Sequence, residues 1–205
     1  MNIFYLHKNT LKCAEMHCDK HTVKMIIEYA QLMCTAHRIL DGKQYIEIQN
    51  GRRIKRWRLE NNGYESVLYK ASHINHPSAI WTRNNNSNYE WLYKLWRSLC
   101  NEYTIRYNKI HLTEQKLVNL LQKTPNNIPI GSFNEPPPAM PDYCKLEDVV
   151  ESYRNYYNKE KLSNQVYNYH SCHQQGNVVL VFYTSPSHHC PLINLIRTVL
   201  GDTLY

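Results

Sequence analysis

The chain has 205 residues, enough for one domain or one domain with an appendage. Hydrophobic residues make up 42% and charged residues 20%, with 17 Tyr and only 6 Gly. That excludes a collagen, a coiled-coil rod and a fully disordered chain. The net charge of +7 favours a polyanionic partner, with nucleic acid the first candidate.

Seven Cys without a C-x-x-C pair give neither a disulfide framework nor a zinc ribbon. The longest apolar runs, such as Val178 to Tyr183, fall far short of the roughly 20 residues that cross a bilayer. No basic-then-apolar leader opens the chain. A soluble, cytoplasmic protein is expected, in the host cytoplasm if the source is viral.

In chain order, Asn2 to Leu6 has the composition of a short strand, and Asn9-Thr10 offers the cap of a long helix running to about Leu40 and stopping at Asp41-Gly42. Gln44–Gln49 and Arg52–Leu59 flank Asn50-Gly51, a strong signal for a two-residue hairpin turn. A polar loop follows at Asn61-Asn62-Gly63. Leu68 to Trp81 is interrupted by His76-Pro77, and Asn84 to Ser87 supplies a turn and cap before a second helix from about Asn88 to Tyr107. Leu92, Leu95, Trp96, Leu99, Tyr103 and Tyr107 give that helix a bulky apolar stripe that reads as core. Thr113 caps a shorter helix to about Lys123, and Pro125 to Pro141 reads as a linker or an ordered surface loop. Glu147 to Lys161 returns to helical pattern. Beyond residue 164 only Arg197 and Asp202 are charged, so residues 164–205 read as a tail, either a small strand and helix at Asn177–Thr184 and Pro191–Leu200 or a poorly adapted extension such as a shifted reading frame gives. The expected fold is mainly α (α+β): a helical domain, 1–163, with a small N-terminal strand and a basic β-hairpin insertion.

On the first long helix, His17, His21, Lys24, Glu28, Gln31, Thr35 and Arg38 follow at alternating steps of four and three, which places them within an arc of roughly 100°. The rest of the circumference is largely apolar. Such a charged file on a mostly buried helix has to meet water in a cleft, a ligand, or compensating partners. A solvated face with helix-spaced pairs such as Lys24 with Glu28 is the plainer alternative. Chemically, Lys24 and Glu28 stand where an amine nucleophile and a carboxylate for proton transfer or cation stabilisation belong. His17 and His21 at i, i+4 could seat a metal, but the stretch lacks the Glu of the zinc-protease pattern and no third ligand is evident. Neither metal nor cofactor is expected.

Arg52, Arg53, Lys55, Arg56 and Arg58 place five positive charges on the return strand of the hairpin. Alternation puts Arg52, Arg56 and Arg58 on one face and Arg53, Lys55 and Trp57 on the other. This is the pattern of an arm that clasps phosphates, with Trp57 available for stacking, although a charged edge also blocks aggregation. Arg38, His76, Trp81 and Arg83 are further candidates for contact with nucleic acid, the last three from an irregular segment before the second helix. Arg97, Glu102, Arg106 and Lys109 read as a plain solvated face.

The opening Ile3-Phe4-Tyr5-Leu6, followed by Cys13-Ala14-Glu15-Met16-His17 and a long polar-seamed helix, resembles the N-terminal part of the phage pyrimidine-dimer DNA glycosylases of the endonuclease V type. The aromatic and basic second helix and Ser152-Tyr153-Arg154-Asn155-Tyr156-Tyr157 extend the similarity over residues 2 to 158, with large insertions. The chain also resembles uncharacterised phage proteins sharing the His-Cys-Asp-Lys-His, Asn-His-Pro and Pro-Pro-Ala-Met-Pro stretches. The glycosylase resemblance implies a small, basic, mainly helical DNA enzyme whose nucleophile is an N-terminal amine and whose helix carboxylate stabilises an imine. His17 matches the family's helix His; the family's carboxylate falls near Lys24, or on Glu28 after a one-turn shift. Because Asn2 is too bulky for efficient removal of Met1, the free amine belongs to Met1, and Lys24 is a substitute amine.

The expected function is therefore a DNA-binding enzyme of glycosylase and AP-lyase type, acting on damaged or modified bases in double-stranded DNA, with His17, His21, Lys24 and Glu28 in catalysis. A non-catalytic nucleic-acid-binding protein and a metal-dependent nuclease are the alternatives.

Overall fold

Asn9 caps the first helix as its sequence implies, its side chain accepting from the backbone N–H groups of Leu11 and Lys12. The helix then stops. The computed structural model describes residues 1–162, and in it the single long helix expected from Asn9 to Leu40 is two: α1 (Thr10–Glu15) and α2 (Asp19–Asp41). The break is held by tertiary partners. The Cys18 N–H donates to the Tyr157 hydroxyl instead of continuing the helical ladder. Arg106 takes the carbonyls of Glu15 and His17 at 3.0 and 2.7 Å, and its side chain also pairs with Asp19 and Glu102. That side chain is 4% exposed, so the solvated face assigned to Arg106 from sequence is corrected to a buried clamp.

The α2 helix is the centre of the fold, packing against α4 (Pro77–Asn84), α5 (Asn86–Tyr107) and α6 (Leu112–Leu121). The α5 stripe is core in its first half, where Leu92, Leu95, Trp96 and Leu99 are fully buried. The Trp96 indole N–H donates to the Ile26 carbonyl at 2.9 Å, fixing α5 against α2. Residues 3–6 are equally buried. They form no strand: the one sheet among the described residues is the hairpin, so the expected N-terminal strand is an apolar stretch threaded through the core.

The hairpin pairs β1 (Lys43–Gln49) with β2 (Arg52–Arg58). Its turn needs two left-handed residues, and Asn50 and Gly51 supply them at φ 51° and 72°. Asn61 then caps α3 (Asn62–Val67), a short helix where sequence implied a loop. His76 and Asn85 cap α4 and α5. The cap of α6 is His111 and not Thr113.

The proline-rich segment is an ordered strap. The Asp41 carboxylate accepts from the N–H groups of Asn126 and Asn127. Asn88, fully buried, donates to the carbonyl of Trp81 and the side-chain oxygen of Asn134 and accepts from the Asn134 N–H. The last described helix, α7 (Val149–Tyr156), continues into a π-helical turn, Tyr157–Leu162. The expected boundary at 163/164 and the strand and helix expected beyond it lie outside the described residues. Among the described residues no helix is long and apolar enough to cross a membrane.

Candidate active site

The polar file on α2 divides into a covered half and an open half. Residues 68–72 meet the covered half through their backbone. The Arg38 guanidinium donates to the carbonyls of Tyr69, Trp57, Glu65 and Leu68 at 2.7, 2.9, 3.1 and 2.7 Å, and to the Glu65 carboxylate at 2.7 Å. Every direction of the fork is used and the side chain is 4% exposed. Arg38 is therefore corrected from a nucleic-acid contact to the clamp that joins α2, the end of β2 and the α3 segment. One turn earlier, the Thr35 hydroxyl donates to the Ser72 carbonyl and accepts from the Ser72 N–H. Compensating partners, and not a cleft, satisfy this half of the file.

His17, at the break before α2, is fully buried. Its Nδ1 lies 2.7 Å from the Cys13 carbonyl, which only accepts, so Nδ1 carries the proton and Nε2 accepts from the Tyr29 hydroxyl at 2.9 Å. Tyr29 in turn accepts from the Phe4 N–H. Burial pushes the His17 pKa down to about 3, consistent with a neutral ring on both counts. His21 stacks on Phe4 at 4.6 Å and contacts the Tyr157 hydroxyl at 2.8 Å. Burial first, then Lys161, Lys24 and Lys20, push it down to about 4. These two rings, assigned to proton transfer from sequence, are buried and link residue 4, the helix break and Tyr157. Among the described residues no three His, Cys, Asp or Glu side chains converge on a metal-sized site.

The open half holds Lys24 and Glu28. Glu28 keeps 19% of its side chain exposed, with Lys24 Nζ at 3.3 Å from one carboxylate oxygen and the Met1 ammonium at 4.0 Å from the other. The Lys24 side chain is 60% exposed. The N-terminal segment is anchored there by Asn2, whose amide donates to the Ala139 carbonyl of the proline-rich strap. His76 completes the group: burial, then the positive Met1 ammonium and His73, hold its pKa below the ordinary value, while Glu28 opposes them. Two amines thus flank one carboxylate.

On the hairpin the observed register pairs Lys43 with Arg58, Tyr45 with Arg56 and Glu47 with Ile54, so Arg52, Arg56 and Arg58 do share a face. Arg56 donates to Glu47 at 2.6 Å, and the Arg58 guanidinium lies 4.9 Å over the Tyr45 ring. Arg52, Arg53 and Lys55 are exposed and make no ion pair among the described residues. The opposite face carries Arg53, Lys55 and half-buried Trp57 beside exposed Ile46 and Ile48. Trp81 does not join this surface: it is 5% exposed, its indole N–H donating to the Asn134 carbonyl, which corrects it to core. Arg83 is half-buried, and one of its terminal nitrogens has no hydrogen-bond partner among the described residues.

An open groove of about 890 Å³ lies beside the open half of α2, bordered by Ile27, Tyr69, Tyr103, Lys109, His111, Thr113 and Lys116. Sequence reasoning passed over it because its lining comes from three separated segments with no shared motif. The nearest signal was the α5 stripe, whose last residues, Tyr103 and Tyr107, emerge from the core. No protein-family model matches the chain, and no curated protein or solved structure matches it either.

Proposed function

We propose that the protein is a DNA-directed enzyme that forms an imine with a nucleotide sugar, in the manner of a glycosylase with AP-lyase activity. One observation carries this reading: the Met1 and Lys24 amines stand at 4.0 and 3.3 Å from the two oxygens of one partly exposed carboxylate, Glu28. An unprotonated amine adds to C1′ as the C1′–N bond breaks and the base leaves with the bonding electrons, taking up a proton. Opening of the sugar gives an iminium, whose positive charge Glu28 faces. Loss of the C2′ proton then expels the 3′ phosphate, and water frees the amine. The exposed cations of the hairpin serve the backbone. About 20 Å of helix separates Glu28 from the start of β1, a span of some six base pairs of duplex.

Sodium borohydride reduces such an iminium to a stable secondary amine. On abasic or dimer-containing duplex, a covalent complex is expected, with the adduct mapped by peptide mass to Met1 or Lys24, and Glu28→Gln is expected to slow strand scission by two to four orders of magnitude. Absence of a trapped species on every lesion sinks the reading. A second reading, nucleic-acid binding without turnover, draws on the hairpin alone, whose unpaired cations need no catalytic group; it requires full binding by Glu28→Gln and no trapped complex.

A further inference from the structure

We infer that the groove between α2, Tyr69 and the α5–α6 junction takes one unpaired nucleotide, its base against the tyrosine rings and its flanking phosphates against Lys109 and Lys116. This deepens the reading above by giving the extruded nucleotide a place, and it rests on that reading for the identity of the strand as DNA. Four features on the groove wall point to this occupant.

The lining contains no carboxylate, and Lys109 and Lys116 are exposed with no ion pair among the described residues. A polyanion is thus complemented with nothing to displace. Tyr69 and Tyr103 give aromatic surface, and each is braced: the Tyr69 hydroxyl meets Thr113 at 3.1 Å, and Tyr103 packs edge-on against His111 at 5.0 Å. Rings with such partners offer stacking at a lower ordering cost, and stacking tolerates any base. Ile27 closes one end. The volume of about 890 Å³ lies in the range of small-molecule sites. Position is the last feature. Ile27 of α2 lines the groove, and Glu28, flanked by the two amines, lies about 100° further round the same helix. The basic hairpin holds the backbone elsewhere, so the groove is not required for general affinity to duplex.

The test uses the full chain and a fluorescent single-stranded DNA oligonucleotide of mixed sequence, with anisotropy read across a salt series. The double variant Lys109→Gln/Lys116→Gln removes two exposed cations and is expected to lower the slope of log K against log salt by about 1.4, at about 0.7 per phosphate contact on single strands. Tyr103→Leu is expected to weaken binding about tenfold at fixed salt without changing that slope. If Tyr103→Leu fails to fold, as judged by circular dichroism, the lysine variant decides. No binding by the native chain, or an unchanged slope in the lysine variant, overturns the proposal. So does a polyglutamate peptide of equal charge that binds as tightly as the oligonucleotide, because the tyrosines would then add nothing. Borohydride trapping of the same native and variant chains on abasic or dimer-containing duplex separates the two readings. Groove-dependent binding without any trapped complex overturns the imine chemistry alone; trapping with binding indifferent to the groove substitutions overturns the groove alone.

Discussion

Replacing Arg38 with Met tests whether the polar file of α2 is held by its own fold. The substitution keeps the length and apolar stem of the side chain but removes a guanidinium that makes five hydrogen bonds at 2.7 to 3.1 Å, four of them to backbone carbonyls. Those carbonyls belong to Trp57, Glu65, Leu68 and Tyr69, from the end of the hairpin and the α3 segment. Leaving each without its donor costs about 1 kcal/mol at the low end of the range for buried unsatisfied groups, or about 4 kcal/mol together. That agrees with about 3 to 5 kcal/mol for removing one partner of a buried charged pair. In urea, with a slope near 2 kcal/mol per molar, the midpoint of unfolding falls by about 2 M. Arg38→Lys restores the charge but not the planar fork, and recovers less than half of the loss. Amide hydrogen exchange in the hairpin accelerates in both variants, because β2 loses its tie to α2 through the Trp57 carbonyl. A midpoint shift below about 0.5 M, combined with a large loss of DNA affinity, would refute the clamp and return Arg38 to the binding surface.

Three further predictions concern the remaining parts. His17, His21 and His37 have pKa values pushed by burial to about 3, 4 and 4, below the ordinary value near 6.5 that the unfolded chain shows. Their contribution to stability is therefore complete above about pH 6.5 and is lost progressively as the pH falls toward 4 and then 3, since the unfolded state takes up the protons; each contributes up to about 1.4 kcal/mol per pH unit. Urea midpoints equal at pH 7 and pH 5 would show that these rings are not held neutral. Arg52→Gln/Arg53→Gln/Lys55→Gln removes three exposed hairpin cations that make no ion pair among the described residues, and should lower the salt slope of duplex binding by up to about 2.7 while moving the melting temperature by no more than a few degrees; an unchanged slope would detach the hairpin from DNA. Asn88→Ala strips the buried amide that ties Trp81 to Asn134, and about 2 kcal/mol of stability is expected to go with it, together with new protease cleavage between 125 and 141. Resistance to cleavage equal to that of the native chain would show that the proline-rich strap is secured by other contacts.

Local chemistry was legible in the sequence wherever a feature depends on residues close together in the chain. Asn9 and Asn85 cap helices and Asn50-Gly51 turns a hairpin with the expected alternation of its cations, because each device is complete within a few residues, whereas Pro77–Asn84, read as irregular, is a helix capped by His76. The adjacency of Lys24 to Glu28 was legible for the same reason, being one helical turn. What periodicity could not distinguish was a polar residue facing solvent from one facing a buried partner. Both satisfy the same spacing, and only long-range contacts separate them: Arg38 meets carbonyls 19 to 31 positions away, Arg106 meets residues 84 to 91 positions away, and His21 meets Tyr157 across 136. The same contacts stop α1 short of α2, since the Tyr157 hydroxyl and the Arg106 guanidinium satisfy backbone groups that would otherwise continue the helix. Tertiary structure alone also brought the Met1 ammonium to Glu28 and gathered Tyr69, Tyr103 and Lys116 around one groove. A linear pattern fixes which face of a helix a residue occupies; what that face meets is decided by chain segments whose arrival costs loop entropy and is settled by the packing of the whole core.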